Sequence, residues 1–144
     1  MLTLLRRDLI RQVNAGNIDE AGLPFGAALA LQCFTNEYVY PETAAETVEV
    51  KKLEQQVEIL LERNHDVAPS IVAALGAYRP LHGYSWSRAL RDRDCDDAIK
   101  DVVERQISEP FAELSRRPQI TSLTPIKDAV SQSVREQYEE NPYP

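Results

Sequence analysis

Apolar residues along this chain recur at intervals of three and four, the spacing of a helix face, and nowhere alternate strictly as a half-buried strand requires. Leu2, Leu5, Leu9 and Val13 form a first stripe, with Arg6, Arg7 and Arg11 between them and Gly16 as a stop signal. After a short polar connection, Ile18 to Gly22, a second helix opens near Pro24, whose fixed φ suits a first turn. It runs through Ala27, Ala28, Leu31 and Phe34 toward Tyr38, and Pro41 closes it. Ala27, Ala28 and Ala30 are small enough to admit a neighbouring helix closely. Thr43 followed by Glu46 matches a capping box, in which each side chain satisfies an orphan backbone N–H. The helix it starts carries Val50, Leu53, Val57, Leu60 and Leu61 on one stripe, and Lys51, Lys52, Glu54 and Glu58 on a wet face. Asn64 and His65 mark its end.

A fourth helix begins around Pro69 and Ser70, uses Ile71, Val72 and Leu75, and stops before Pro80. Residues 79–87 read as a packed connection rich in aromatics, with Ser85 or Ser87 able to cap a short turn through Leu90. Asp94 or Asp96 then caps a helix bearing Ile99, Val102, Val103 and Ile107, where an acidic first turn also suits the helix dipole. Pro110 is expected to interrupt it, leaving a short piece through Phe111 and Leu114 before Pro118. A last helix has Thr124 as cap, Pro125 at its first position, and Ile126, Val130, Val134 and Tyr138 on one face. The expectation is an all-α fold of six to seven helices, an irregular multi-helix bundle or a short helical stack. Leu75-Gly76-Ala77-Tyr78 catches a fragment of the tetratricopeptide pattern, but no second copy appears at a fixed spacing.

Composition narrows the function classes. The chain has 144 residues, one domain's length, and 16 basic against 23 acidic residues give a net charge of −7. That balance argues against a general nucleic-acid surface, and the basic pairs Arg6-Arg7 and Arg116-Arg117 read as solvated helix faces. The longest nearly apolar run, Gly22 to Leu31, contains a proline and is too short to span a bilayer. Cys33 and Cys95 make no disulfide framework and no leader is visible, so a reducing, cytoplasmic setting is expected.

Each candidate for chemistry lacks a required residue. Asp92-Arg93-Asp94-Cys95-Asp96-Asp97 imitates the start of a calcium loop, but the turn position holds Asp97 instead of glycine and the terminal bidentate position holds Val103. The two histidines, His65 and His82, have no ligand partner at metal-site spacing. Cys33, among Ala30, Leu31 and Phe34, reads as a buried inert thiol. None of the five glycines sits in a phosphate-cradling loop or dinucleotide fingerprint. No metal and no catalytic or cofactor-binding residue is therefore assigned.

The C-terminal stretch Val130 to Pro144 reads V-S-Q-S-V-R-E-Q-Y-E-E-N-P-Y-P. It resembles the linker of bacterial methyltransferase-like proteins, in which a helical, often tetratricopeptide-bearing N-terminal region precedes a class I S-adenosylmethionine-dependent methyltransferase domain. The family's segment reads V-R-x-Q-Y-E-E-N-P-Y-P-R-W, and the sequence stops short of the Arg-Trp pair. Ala28 to Tyr40 is similar to the helical region of the same proteins. The resemblance implies an N-terminal fragment, with a helical domain over 1–122 and a last helix and linker over 123–144 leading toward an absent catalytic domain. S-adenosylmethionine would then be the parent's cofactor and not this chain's. Tyr138, Asn141, Pro142, Tyr143 and Pro144 match the linker motif, which implies a place near the parent's active site, or a purely structural joint.

Three functions follow as expectations. The first is a non-catalytic domain that recruits a substrate or partner, or docks the parent's own catalytic domain. The second is a self-contained protein-interaction or oligomerisation module, homo-oligomers included. The third is a small enzyme with a site assembled from His82, Tyr84, Asp92 and Asp94.

Overall fold

The computed structural model describes residues 1–117; the helix expected over 124–138 and the linker-motif residues lie outside them. The chain divides into two compact units, Met1–Glu113 and Leu114–Pro144, and the packing below concerns the first. Among the described residues all regular structure is helical, with no strand, as the apolar spacing predicts. The order is α1 (Leu2–Asn14), α2 (Leu23–Thr35), α3 (Ala44–Glu62), α4 (Pro69–Gly76), a single-turn helix at Leu81–Gly83, α5 (Ser87–Arg91), a second such turn at Asp97–Ile99, α6 (Lys100–Val103), a π-helical turn (Glu104–Ser108) and α7 (Glu109–Arg116).

α4 is the centre. Every residue from Ile71 to Tyr78 is buried, as expected of a short helix that is apolar on all sides. α1, α2 and α3 pack around it. The α2 face is built from small residues: a Cβ on Gly26 would lie 3.3 Å from Leu9 Cδ1 and 3.5 Å from Ala73 Cβ. A Cβ on Gly76 would meet Gln106 Nε2 at 3.1 Å and Ala30 Cβ at 3.3 Å. The close approach expected of the alanines is therefore real, but the face is turned slightly. Ala28 is exposed and Leu31 and Phe34 are half-buried, while Leu23, Gly26, Ala27, Leu29, Ala30 and Cys33 face inward.

Helix ends follow local chemistry. The Thr43–Glu46 capping box is formed in both directions, worth about 1 kcal/mol for such a cap. Three helices end in the same reciprocal pattern. After α1, Gly16 N–H reaches Val13 O and Asn17 N–H reaches Gln12 O. After α3, Asn64 and His65 do the same to Leu61 and Leu60, and after α2, Glu37 and Tyr38 to Phe34 and Cys33. Gly16 and Asn64 suit the left-handed position (φ +72° and +56°). Glu37 and Tyr38, both left-handed at 53° and 55°, do not, and each costs roughly 1–2 kcal/mol.

Two sequence expectations fail here. α5 opens on Trp86 without a side-chain cap, and Ser87 is buried inside its first turn. Pro110 does not interrupt the helix: α6, the π turn and α7 are contiguous from Lys100 to Arg116. A proline ring crowds the carbonyl four residues back and supplies no N–H. The π turn, in which Glu109 N–H bonds Glu104 O, widens the backbone just ahead of the ring.

The same turn aims Gln106 into the core, where it is fully buried. Its Nε2 donates to Gly76 O at 3.0 Å and Ala30 O at 3.2 Å. Its Oε1 accepts from Leu81 N–H at 3.3 Å, with the Tyr38 hydroxyl, which donates to Gly76 O at 3.0 Å, also 3.4 Å away. One amide thus joins α2, the C-terminus of α4 and the turn after it. Replacing it with a similar-sized apolar residue, Gln106→Leu, leaves the buried Leu81 N–H without an acceptor. Urea unfolding should show a loss of about 2–3 kcal/mol; a loss below about 0.5 kcal/mol would mean that the amide is not a structural tie.

Candidate functional site

The charged residues of this unit fall into two groups, those locked into the fold and those left free. The locked group centres on Arg6, which the sequence pattern places on a solvated face and which is in fact 1% exposed. Its Nη2 donates to the carbonyls of Pro41 at 3.1 Å and Tyr40 at 3.4 Å, and its guanidinium lies 4.2 Å from the ring centre of Tyr78 and 5.6 Å from that of Tyr40. Tyr78 donates its hydroxyl to Glu46 Oε1 at 2.7 Å, and Glu46 Oε2 accepts the Thr43 N–H at 2.8 Å. Arg7 Nε stands 3.4 Å from the same carboxylate, close enough for attraction but not aligned as a hydrogen bond. Beside this cluster, Glu42 takes both Arg79 Nη atoms, at 2.7 and 2.9 Å, and the Thr47 hydroxyl at 2.8 Å.

This electrostatics is structural. Burial works against the charge on Glu46, but hydrogen bonds from Thr43 and Tyr78 and the nearby Arg7 outweigh it and hold its pKa below the usual carboxylate range. The Arg79 hydrogen bonds do the same for Glu42. Burial raises the Tyr78 phenol, and the Glu46 carboxylate adds to the rise. Burial likewise raises the Cys33 thiol, leaving it a poor nucleophile.

Two of the many charges left free lie along the last turns of α3. The segment after α4 runs beside that helix, fixed at its start by the Leu81–Gln106 bond and further on by Tyr84, which donates its hydroxyl to Glu54 Oε1. Burial and the Glu54 carboxylate together push the Tyr84 phenol well up. Tyr84 and Trp86 stack, centroids 4.4 Å apart and planes 10° from parallel. An open cleft of about 420 Å³ lies on the tryptophan side, lined by Glu58, Leu61, Glu62, Ser85 and Trp86. A smaller one of about 170 Å³ lies on the tyrosine side, lined by Glu54, Arg79, Pro80, Gly83 and Tyr84. Glu58 and Glu62, one helical turn apart and exposed, have no ion-pair or hydrogen-bond partner among the described residues. Trp86 is 9% exposed and its indole N–H has no acceptor.

A third cavity, about 180 Å³, lies under the loop before α6, with Val67, Pro69, Val72, Leu90, Ile99 and Val103 inside it and Asp66, Arg93, Asp94, Cys95 and Asp96 also lining it. Arg93 is tied to the end of α3 through Asn64 Oδ1, His65 O and Asp66 Oδ1, at 2.8, 3.0 and 3.0 Å. Asp96 caps the following turn by accepting Ala98 N–H at 2.9 Å. No group of three His, Cys, Asp or Glu side chains suited to a metal occurs among the described residues.

Tyr84 and Asp94 line separate cavities, so the dispersed set of His82, Tyr84, Asp92 and Asp94 does not converge on one site. Tyr138, Asn141, Pro142, Tyr143 and Pro144 lie outside the described residues. Sequence reasoning missed Arg6, Gln106 and Trp86. Glu46 was signalled in advance through its capping box, Glu54 and Glu58 as the wet face of their helix, and Tyr84 as a member of the dispersed set. Among the described residues no helix is long and apolar enough to cross a membrane. The chain matches no protein-family model, no curated protein and no solved structure.

The locked carboxylates give the fold a pH signature. A depressed pKa contributes stability that is complete above the unfolded carboxylate value, about 4.3 for glutamate, and is lost as pH falls through the folded value. The thermal midpoint should therefore fall between about pH 5 and pH 3. The Glu42→Gln, Glu46→Gln double variant should start lower and decline less steeply. Identical slopes would show that neither carboxylate is linked to folding.

Proposed function

We propose that this chain is a non-catalytic helical docking domain that recruits a partner or substrate protein for a methyltransferase domain. The observation that carries the docking part is the division of charge: the buried ionic groups are all consumed in holding helices together, while Glu58 and Glu62 stand free beside an aromatic-walled cleft. A hydrolytic or transfer site would need converging titratable groups in one enclosed pocket, whereas this cleft is open and carries two carboxylates of like charge on one helix face. What supports the methyltransferase part is the Q-Y-E-E-N-P-Y-P resemblance at Gln137 to Pro144. Tyr138, Asn141, Pro142, Tyr143 and Pro144 would then form the joint into the catalytic domain, and S-adenosylmethionine would bind beyond that joint.

Two measurements test the two parts separately. Calorimetric titration of S-adenosylmethionine into the chain should give no saturable heat at micromolar ligand; one-site binding would overturn the non-catalytic assignment. In the coding sequence, the frame after Pro144 should continue with Arg-Trp and then a strand followed by a glycine-rich turn. A stop codon there would remove the methyltransferase and leave an independent interaction module.

A further inference from the structure

The cavity beneath the loop before α6 differs from the two clefts beside α3, because its inner wall is the core itself. Val72, Leu90, Ile99 and Val103, all buried, form that wall, and the half-buried Val67 and Pro69 flank it. The other lining residues, Asp66, Arg93, Asp94, Cys95 and Asp96, are exposed or half-buried and mark the side that opens to solvent. A small molecule can reach the inner wall from that side.

Size and chemistry together define the occupant. The volume is about 180 Å³, and an aliphatic cavity of roughly 150 Å³ takes up one benzene ring. The inner wall is aliphatic and offers water no hydrogen-bond partner, whereas a buried water needs several. An empty void of this size costs stability, because its lining atoms lose their neighbours on one side. An apolar occupant restores those contacts.

The polar side sets the charge. Arg93 is committed to Asn64 Oδ1, His65 O and Asp66 Oδ1, and Asp96 to Ala98 N–H. No side-chain polar atom lining the cavity is left buried and unmet, so the site makes no demand for a polar ligand group. Three carboxylates to one guanidinium line this side, which disfavours an anion. A cation gains little there, since exposed carboxylates are weak partners. Cys95 adds a preference of its own. It is half-buried and packed against the core, and its sulfur is a polarisable contact for the edge of an aromatic ring.

We propose that this cavity is a binding site for one small uncharged aromatic molecule, a single ring with at most a short apolar substituent. The ring lies among Val72, Leu90, Ile99 and Val103 with its edge toward Cys95. Those walls belong to α4, α5, the turn at Asp97–Ile99 and α6, so occupancy ties these elements together and stabilises the fold by mass action. The chain is then responsive to a small molecule as well as to a partner protein, at a site separate from the cleft beside Glu58.

The probe is toluene, with benzoate as its anionic counterpart, titrated into the full chain while methyl resonances are followed. The expected result is a saturable shift concentrated on Val72, Leu90, Ile99 and Val103 with toluene, and none with benzoate at the same concentration. Cys95 reports independently through alkylation by iodoacetamide, with the buried Cys33 as internal reference. At a toluene concentration twice its dissociation constant, the Cys95 rate should fall about threefold. Val67→Phe, which places a ring in the cavity from its half-buried flank, should remove both responses and raise the thermal midpoint of the unliganded chain. Should that variant not fold, the native-chain measurements decide alone. The proposal is overturned by the absence of a saturable shift up to the solubility of toluene, by largest shifts on methyls outside the cavity, or by benzoate matching toluene. An unchanged Cys95 rate while the cavity methyls are saturated also overturns it.

Discussion

The fold depends on how the C-terminus of α4 is finished inside the core. A helix of eight residues is too short to persist by its own hydrogen bonds, and its last carbonyls point into apolar surroundings where an unmet polar group is costly. Gln106 and Tyr38 meet this demand together at Gly76 O. The absence of a side chain at residue 76 gives them room, since even a methyl group would stand 3.1 Å from the amide nitrogen and press it aside by a few tenths of an ångström. Gly76, Gln106 and the π turn that aims Gln106 inward are therefore one solution to one problem. α4 is central because that problem is solved.

From this point the geometry propagates outward. Gln106 Oε1 fixes Leu81 N–H, and so sets where the chain turns after Pro80. That turn brings Tyr84 alongside α3, where Glu54 receives its hydroxyl, and the stacked Trp86 closes the wall of the cleft. The left-handed pair Glu37 and Tyr38 belongs to the same chain of causes. Neither residue favours that conformation, yet it terminates α2 and leaves the Tyr38 hydroxyl against Gly76 O. The bond offsets part of the strain, and the tie between α2 and α4 is the gain.

How much of this is legible in the sequence depends on the range of the cause. The stripes of α1, α3 and α4, the Thr43–Glu46 box and the ends at Gly16 and Asn64 are set by residues within a turn or two of each other, and reading them gives the right elements. Arg6 is misread for a definite reason. Periodicity assigns a charge to the solvent, but its burial is decided by the carbonyls of Tyr40 and Pro41 and the ring of Tyr78, the carbonyls 34 and 35 positions away. Gln106 has partners 30 and 76 positions away and gives no local sign of its role. Pro110 misleads in the opposite sense, because the usual consequence of a proline is averted by a backbone widening that sequence spacing does not encode. Trp86, in an irregular stretch without period, gives only the hint that a large aromatic there must be packed against something.

The same distinction of range separates structure from function among the charges. An ionic group consumed by the fold has partners on other helices: Arg6 with the turn before α3, Tyr78 with Glu46, Arg79 with Glu42. Removing one partner from such a group strands the other, so these residues are constrained by stability. Glu58 and Glu62, exposed on α3, are free of that constraint. A lysine or glutamine at either position would keep α3 equally well formed, since both are good helix residues. Acidic residues at the surface disfavour an anionic segment and favour a basic one.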